Sequence, residues 1–336
     1  VKKLVVVVLV LLVTVCIASG EGDYALRKLA LAPPDASKAI LRVENAYIAV
    51  QCDDEDGQFN IGTRDNITLL YAFPSNPWSS RITVNIDGNF YTNDSAITGP
   101  GVGLLPVSDS FEIIPISGDT SAIVGGWSIS GVDITQTLMP IYLIYPEDTT
   151  GTILIHYTMT NRDTECHDVG LMLEMDTMIR GNDAAPLATA FGYSDTERDF
   201  FAPDSIPDFW LAYETGPWDP MDAQVVAMGI LRGFDAVAPD RFAVGAWSSF
   251  YRADWSYDVS GGTYGDSAVL YWWNPISLCS GDSRTVATYY GLGHPMGVPG
   301  LNVALPPQLN VHHCTYDPNP FQVVALATNT GITTIR

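Results

Sequence analysis

The sequence has few basic residues, which limits the partners that it can bind. It contains 16 lysine and arginine residues against 38 aspartate and glutamate residues, for a formal net charge of −22 at pH 7. Nucleic-acid binding needs lysine and arginine at the phosphates, and an anionic membrane surface repels an acidic protein. The composition therefore excludes both as partners, whereas divalent cations and neutral ligands such as sugars remain compatible with it.

The chain also lacks the sequence motifs of the common enzyme classes. It holds no Gly-x-Ser-x-Gly, His-Glu-x-x-His, P-loop or dinucleotide-binding pattern. Structural zinc is excluded by spacing, because no two cysteines lie within four residues of each other. Only 16% of the residues are charged and 47% are apolar, so the chain can bury a substantial core and is not an acidic disordered tail.

Helical periodicity is almost absent, and only a short helix near Asp222 to Met228 is predicted. Alternation with a period of two dominates instead, in segments rich in Val, Ile, Thr, Tyr and Trp that Gly, Asn, Asp and Pro bound. The predicted strands are 40–52, 81–92, 132–145, 151–161, 169–177, 267–275 and 284–293. Many strands without intervening helices predict an all-β fold, a large antiparallel β-sandwich over residues 40–293.

The first residues predict export. Lys2 and Lys3 precede an apolar run, and small residues follow it at a cleavage position before Glu21, which is typical of a signal peptide over residues 1–20. A membrane anchor is the alternative, but the run is shorter than the roughly 20 residues that a membrane span needs. Residues 21–39 form a lead segment before the sandwich.

The last residues differ in composition from the strand-rich region. A Gly/Pro-rich linker covers 294–299. Residues 300–336 alternate short strand patterns with prolines, which predicts the start of an immunoglobulin-like module that the sequence cuts short. A piece of this length cannot bury a core of its own.

Four cysteines remain after removal of residues 1–20: Cys52, Cys166, Cys279 and Cys314. An even number in an exported protein suggests disulfides. Cys166 and Cys279 each lie in a short connection between consecutive predicted strands, and such connections gather at the ends of a sandwich. The sequence therefore predicts a Cys166–Cys279 disulfide, with two independent buried thiols as the alternative.

Three stretches carry a family resemblance: QFNIGT…PWSS…TVNIDG, ILIHYTMTNRD…HDVGLMLEMDTMIRGNDAAP and AVLYWWNPISLCSGDSRTVATYYGLG. The region that they span resembles a large β-sandwich domain of uncharacterised exported bacterial proteins, where it precedes tandem immunoglobulin-like repeats. The resemblance implies an extracellular location and further modules, and it implies no catalytic residues. The strand ILIHYTMTNRD is also similar, more loosely, to the sugar-binding sandwiches of galactose mutarotases and related glycosidase domains.

The stretch EMDTMIRGND, which begins at Glu174, is the main candidate site. Alternation places Glu174 and Asp176 on one face at a strand end, and the following turn brings Asn182 and Asp183 near Asp176. Asp176, Asn182 and Asp183 are predicted calcium ligands, because calcium takes several oxygen ligands from one loop. The alternative is a polar turn with local hydrogen bonds. Calcium is the only cofactor that the sequence suggests.

Two other sets of residues are candidates for sugar chemistry. An enzyme of the mutarotase or glycosidase type would use His156 with Glu174 and Asp176 for acid–base work, whereas the alternative for His156 is a structural strand residue. Aromatic residues interrupted by polar groups suggest a carbohydrate face, although strand aromatics usually pack in the core. The candidate ligand-binding residues are Trp210, Trp218, Trp247 and Trp255.

The sequence thus favours a non-catalytic exported β-sandwich module, secreted or at the cell surface, that binds a carbohydrate or another surface polymer. A carbohydrate-active enzyme of the mutarotase or glycosidase type is the main alternative, and an architectural spacer is the third. Convergent ionisable groups on a concave face would favour the enzyme. Aromatic and neutral polar groups would favour binding, and a surface without a pocket would favour the spacer.

Overall fold

The computed structural model describes residues 39–144, 149–189, 191–215 and 225–293, and the backbone alone of 300–304, 310–312, 315–317 and 324–328. The first nine strands are β1 (Ile40–Glu44), β2 (Ile48–Asp53), β3 (Phe59–Thr63), β4 (Arg81–Ile86), β5 (Asn89–Thr92), β6 (Val102–Leu104), β7 (Val107–Ser117), β8 (Thr120–Ile129) and β9 (Val132–Ile144). The next ten are β10 (Thr149–Asn161), β11 (His167–Asp176), β12 (Leu187–Thr189), β13 (Gly192–Ser194), β14 (Arg198–Phe201), β15 (Phe209–Tyr213), β16 (Val226–Ile230), β17 (Arg241–Ala246), β18 (Ser267–Leu278) and β19 (Ser283–Leu292). The remaining elements are β20 (Gly300–Ala304), β21 (Asn310–His312), β22 (Thr315–Asp317), β23 (Val324–Thr328), the 3₁₀ helix η1 (Ser95–Ile97) and the short helix α1 (Trp247–Phe250).

Two large sheets form the body of the fold. One has nine strands in the order β13-β12-β15-β16-β19-β10-β9-β8-β7, the other has seven in the order β14-β17-β18-β11-β4-β5-β6, and β1-β2-β3 form a smaller third sheet. Strands β5 and β6 pair in parallel, and the other described pairs are antiparallel. The predicted all-β antiparallel sandwich is confirmed.

The core lies between the inward faces of the two large sheets. In β10 the alternate residues Ile153, Ile155 and Tyr157 are buried in it, and in β11 the core side chains alternate in the same way. Alternation of this kind is what one buried face per strand requires. The indole N–H of Trp210 in β15 donates to the hydroxyl of Tyr271 in β18 at 2.7 Å, which links the two sheets through the core.

Two local predictions need correction. Residues 40–52, predicted as one strand, form the hairpin β1–β2, because the Asn45 side-chain oxygen accepts the backbone N–H groups of Tyr47 and Ile48 and turns the chain. The helix predicted near Asp222 to Met228 is absent over its described residues. They belong to β16, which hydrogen-bonds to β15 and β19 on its two sides.

A Cys166–Cys279 disulfide joins the β10–β11 connection to the β18–β19 connection. The predicted bridge is therefore confirmed, and the alternative of two separate thiols is wrong. Cys52 is a buried free thiol, and burial raises its pKa. Cys314 lies outside the described residues.

The segments predicted on either side of the sandwich domain fall largely outside the described part of the chain. The signal peptide, the lead segment up to residue 38 and the linker at 294–299 all lie there. Beyond the linker, β20 pairs with β23 and β21 pairs with β22, both antiparallel. The immunoglobulin-like module remains a prediction. Among the described residues no helix has the length and apolar character needed to cross a membrane.

Candidate functional site

Glu174 and Arg81 form a buried ion pair on the outward face of the seven-stranded sheet. Glu174 alternates with the core residues Leu173 and Met175 in β11, so its side chain points away from the core. Arg81 is its register partner in β4. The Arg81 Nη2 lies 2.8 Å from the Glu174 Oε2, and both side chains are at most 1% exposed. Glu174 is therefore out of reach of a substrate.

The Arg81 guanidinium connects this ion pair to the segment that follows α1. Its Nη2 donates to the carbonyl oxygen of Phe250 at 3.0 Å and to that of Tyr251, while Nη1 donates to the Thr83 hydroxyl at 3.2 Å. The guanidinium also lies 5.4 Å from the Tyr251 ring centroid. The function of Glu174 is thus to hold Arg81, which fixes the backbone at residues 250 and 251.

His156 and Glu174 point outward from different sheets of the sandwich. His156 alternates with the core residues Ile155 and Tyr157 in β10, so it faces outward from the nine-stranded sheet, whereas Glu174 faces outward from the seven-stranded sheet. The structure therefore does not bring His156 and Glu174 together as the predicted catalytic pair requires. Partial burial lowers the pKa of His156, and the negative charge of Asp235 opposes that shift.

Asp176 and Asp183 come together as the sequence predicted, and Asp266 joins them. One carboxylate oxygen of each lies within 4.8 Å of the others. Backbone hydrogen bonds hold the three segments in place: Ser267 N–H donates to the Asp183 carbonyl at 2.8 Å, and Thr177 N–H donates to the Ser267 carbonyl at 2.9 Å. Local sequence could not reveal Asp266, because it precedes a strand more than eighty residues away.

Asn182 forms the polar turn of the alternative interpretation. Its side-chain oxygen accepts the backbone N–H of Ala184 at 3.1 Å, and its amide donates to the Glu214 carbonyl at 2.7 Å. Its backbone closes a tight turn with Ile179. The Arg180 and Gly181 residues between them have positive φ angles of 50° and 87°, which glycine adopts readily. The polar turn and the carboxylate group therefore coexist, because the turn lies between Asp176 and Asp183.

The four tryptophans predicted to bind ligand have different surroundings. Trp210 is wholly buried and stacks on Tyr290 with ring centroids 5.0 Å apart, and Trp247 is only 2% exposed. A stacking platform needs an open ring face, so burial corrects the prediction for these two. Trp218 lies outside the described residues. Trp255 is half-buried and stacks on Phe90 at 5.6 Å with an interplanar angle of 11°.

The stacked pair borders a cleft of about 270 Å³ on the outer side of the seven-stranded sheet. We call it the Phe90 cleft. Its walls come from strands β4, β5 and β6, from the loop after η1 and from the loop after α1. The lining residues are Thr83, Phe90, Ile97, Thr98, Gly99, Pro100, Val102, Arg252, Ala253 and Asp254.

The loop after α1 forms a fixed wall of the Phe90 cleft. The Asp254 carboxylate accepts the backbone N–H and the hydroxyl of Ser256, each at 2.6 Å, and its carbonyl accepts the Trp272 indole N–H at 3.2 Å. Arg81 holds the same loop from below. Burial and the nearby Asp94 charge raise the pKa of the Tyr251 hydroxyl, which keeps it neutral. A wall held by several hydrogen bonds is pre-organised for a ligand.

A second, larger and more open cleft of about 630 Å³ lies beside Tyr142. Tyr142 is 50% exposed and meets Tyr47 edge to face at 6.0 Å. Arg64 pairs with Glu44 across this cleft at 3.4 Å. The sequence did not predict this Tyr142 cleft, because the two tyrosines lie in separate strand patterns far apart in the chain.

Comparison with known proteins gives structural similarity only. No family model matches the chain, and no curated protein does. Similar solved structures include a galactose mutarotase related enzyme from Lactobacillus acidophilus, with 8% identity over 76% of this chain and 98% of that one and a TM-score of 0.40. A GalM/aldose epimerase homologue from C. elegans has 10% identity over 77% of this chain and 99% of that one, with a TM-score of 0.40. A putative aldose 1-epimerase from Escherichia coli K12 has 12% identity over 76% of this chain and 99% of that one, with a TM-score of 0.38.

These three belong to the second family that the sequence resembles, the mutarotase-like sandwiches. At such identities and TM-scores the similarity carries no information on the activity or the ligand of this chain. No comparison reaches the exported bacterial domain of the first resemblance, which remains a prediction. The candidate site is therefore judged on its own residues. The Phe90 cleft combines a cavity, a fixed wall and an aromatic ring that stacks on Trp255, one of the predicted ligand residues.

Proposed function

We propose that the chain is a non-catalytic exported module, secreted or at the cell surface, that binds carbohydrate in the Phe90 cleft. The signal-peptide pattern of residues 1–20 supports export. The binding proposal is supported by the cleft itself, which is lined by Phe90, whose ring stacks on Trp255, and by polar groups of the fixed loop after α1.

The lining of the Phe90 cleft matches the chemistry of a sugar ring. A sugar presents apolar C–H groups on its faces and hydroxyl groups around its edge. Phe90 and Val102 offer apolar surface, whereas Thr83 and Thr98 offer hydroxyls and Asp254 a carboxylate. The volume of about 270 Å³ lies just below the roughly 300–1,000 Å³ of typical ligand pockets, which suits one ring at a chain end or branch.

The geometry favours binding over catalysis. Glycoside hydrolysis uses two carboxyl groups on either side of the scissile bond, and Asp254 is the one carboxylate in the lining. The Asp254 carboxylate already accepts two hydrogen bonds from Ser256. Glu174 is committed to Arg81, and His156 faces the other side of the sandwich. A spacer would need no cleft of this kind.

A glycan-array screen of the full chain without its signal peptide tests the proposal, followed by calorimetry on the best glycan. We expect Phe90→Ala to weaken binding at least tenfold, which equals about 1.4 kcal/mol, because it removes the apolar wall. Tyr142→Ala is the matched control and should bind as the wild type does. Thermal unfolding of both variants checks that each is folded.

Two outcomes would contradict the proposal. One is a failure to bind in the Phe90 cleft, seen either as an array without any bound glycan or as binding that is lost in Tyr142→Ala and kept in Phe90→Ala. The other is conversion of the bound glycan to new reducing ends or a new anomer, which would favour the enzyme of the mutarotase or glycosidase type.

A further inference from the structure

We propose that the Phe90 cleft selects a saccharide with an anionic group, a carboxylate or a sulfate ester, and that Arg252 binds this group. This inference rests on the proposed function and names the class of sugar. It starts from the ion pairing of the arginine residues, which is unusual at Arg252.

Arginine side chains in this acidic protein are almost all paired with carboxylates. The described ranges contain ten arginines, and eight of them have a carboxylate oxygen within 4.0 Å. In the described part of the chain, Arg198 and Arg252 have no such partner. With 38 acidic residues against 16 basic ones in the sequence, a solvent-facing guanidinium without an internal counter-charge is the exception.

Arg252 differs from Arg198 in its position. Arg198 packs its guanidinium 5.1 Å from the Phe200 ring centroid, away from the described clefts. Arg252 is exposed and lines the Phe90 cleft. Its guanidinium lies 6.0 Å from the ring centroid of Tyr251, a residue whose backbone Arg81 holds. Arg252 thus follows a backbone position that Arg81 holds, and it lines the cleft.

The neighbouring carboxylate does not neutralise Arg252. Asp254 lies two residues further along the same loop, but its carboxylate accepts two hydrogen bonds from Ser256 and forms no ion pair with Arg252. A guanidinium presents two parallel N–H groups that match a carboxylate or sulfate in a bidentate contact. A ligand anion would therefore supply the partner that the protein does not.

The overall negative charge limits how many charges the ligand can carry. The repulsion between a sugar anion and the distant acidic residues is screened beyond roughly 8–10 Å at physiological ionic strength, whereas a direct contact with Arg252 is not. A saccharide with one anionic group at the cleft therefore gains the contact with Arg252, and Asp254 is the one carboxylate in the lining that opposes it. A densely charged polyanion would also bring its remaining anionic groups against the acidic surface, which repels them.

Calorimetry with three oligosaccharides tests the inference on the full chain without its signal peptide. The ligands are an oligogalacturonide, its neutral methyl ester and a sulfated galactan oligosaccharide, and the first and third distinguish carboxylate from sulfate. We expect at least one anionic form to bind at least tenfold more tightly than the ester. Arg252→Gln should remove this preference, so that the anionic form binds no more tightly than the ester, whereas Arg198→Gln should keep the preference.

Equal binding of charged and neutral forms by the wild type would overturn the inference, and so would a preference that survives in Arg252→Gln. Sensitivity of the ester to Phe90→Ala separates the two proposals. If Phe90→Ala still weakens the ester, the cleft binds sugar and only the role of Arg252 is wrong. If none of the three ligands binds and the glycan array is also blank, the proposed function is wrong as well.

Discussion

At the scale of single residues, the buried Glu174–Arg81 pair has the largest energetic consequence. Both charges are removed from water, and they are compensated by each other and by the carbonyl groups of Phe250 and Tyr251. Loss of one member would leave the other charge buried without its partner, which costs about 3–5 kcal/mol in comparable cases. The carboxylate that looks catalytic in the sequence is therefore a stability determinant.

Glu174→Gln should lower the free energy of unfolding by about 3–5 kcal/mol, measured by urea denaturation. Asp208→Asn is the control, because Asp208 pairs with Arg232 on the surface, where the two side chains are 55% and 50% exposed. Its effect should stay within about 1 kcal/mol. Similar effects of the two variants would show that burial of the Glu174 pair adds nothing.

His167 and His156 should change the free energy of unfolding with pH in opposite directions. The hydrogen bond from His167 to Asp87, at 2.6 Å, raises the pKa of His167, with a smaller contribution from Asp163. The protonated form is thus favoured in the folded state. Its stabilisation is fully present below the unfolded pKa of about 6.5 and is lost as pH rises through the higher folded pKa. For His156, whose pKa burial lowers, the wild type loses stability as pH falls below about 6.5.

Unfolding free energies between pH 5 and pH 9 check this prediction. The difference between the wild type and His167→Gln should be largest near pH 6 and should shrink towards pH 9. The difference for His156→Gln should change in the opposite direction: at low pH the unfolding free energy of the variant should rise relative to that of the wild type. Differences that do not vary with pH would contradict the proposed charge states.

At the scale of elements, the Cys166–Cys279 bridge ties together the two connections that follow β10 and β18. Its two cysteines are 113 residues apart, so the chain-entropy model gives a stabilisation of up to about 4–5 kcal/mol. We expect a Cys166→Ala/Cys279→Ala variant to lose about 2–5 kcal/mol in denaturant unfolding. Reducing agent should destabilise the wild type in the same way and leave the variant unchanged; an equal response of both would point to another cause.

Calcium binding, predicted from the sequence at Asp176, Asn182 and Asp183, remains a prediction. The structure groups Asp176 and Asp183 with Asp266, at the ends of β11 and β18. Saturating calcium, at about 100 times its dissociation constant, would add about 2.7 kcal/mol of stability, or a melting temperature increase of roughly 5–10 °C in a domain of this size. Asp266→Asn should abolish the shift, whereas Asp119→Asn at the β7–β8 turn should keep it. No shift in the wild type, or the same shift in both variants, would contradict calcium binding.

The elements also show which features the sequence could predict. Alternation identified β9, β10, β11, β18 and β19, because the side chains that each strand points into the core repeat with a period of two. It failed where a single side chain turns the backbone, as Asn45 does. It also failed where partners meet across the fold, since neither Asp266 nor the walls of the Phe90 cleft have a local sequence signal. The sequence also could not show that Trp210 and Trp247 are buried, because an aromatic residue gives the same pattern whether it lies in the core or at the surface.

At the scale of the whole molecule, charge is distributed unevenly along the chain. All four lysines lie within the first 38 residues, so the rest of the chain relies on arginine for positive charge. Since most described arginines are bound to carboxylates, the outer surface is dominated by acidic groups. This charge favours solubility and discourages binding of other acidic polymers. A local exception such as Arg252 is therefore informative about the ligand.

A crystal structure of the chain with a bound oligosaccharide taken from the array tests carbohydrate binding in the Phe90 cleft most directly. We expect a sugar ring against Phe90, an anionic group in contact with the Arg252 guanidinium, and an intact glycosidic bond. A sugar in the Tyr142 cleft, or a cleaved or epimerised sugar beside His156, would contradict this expectation.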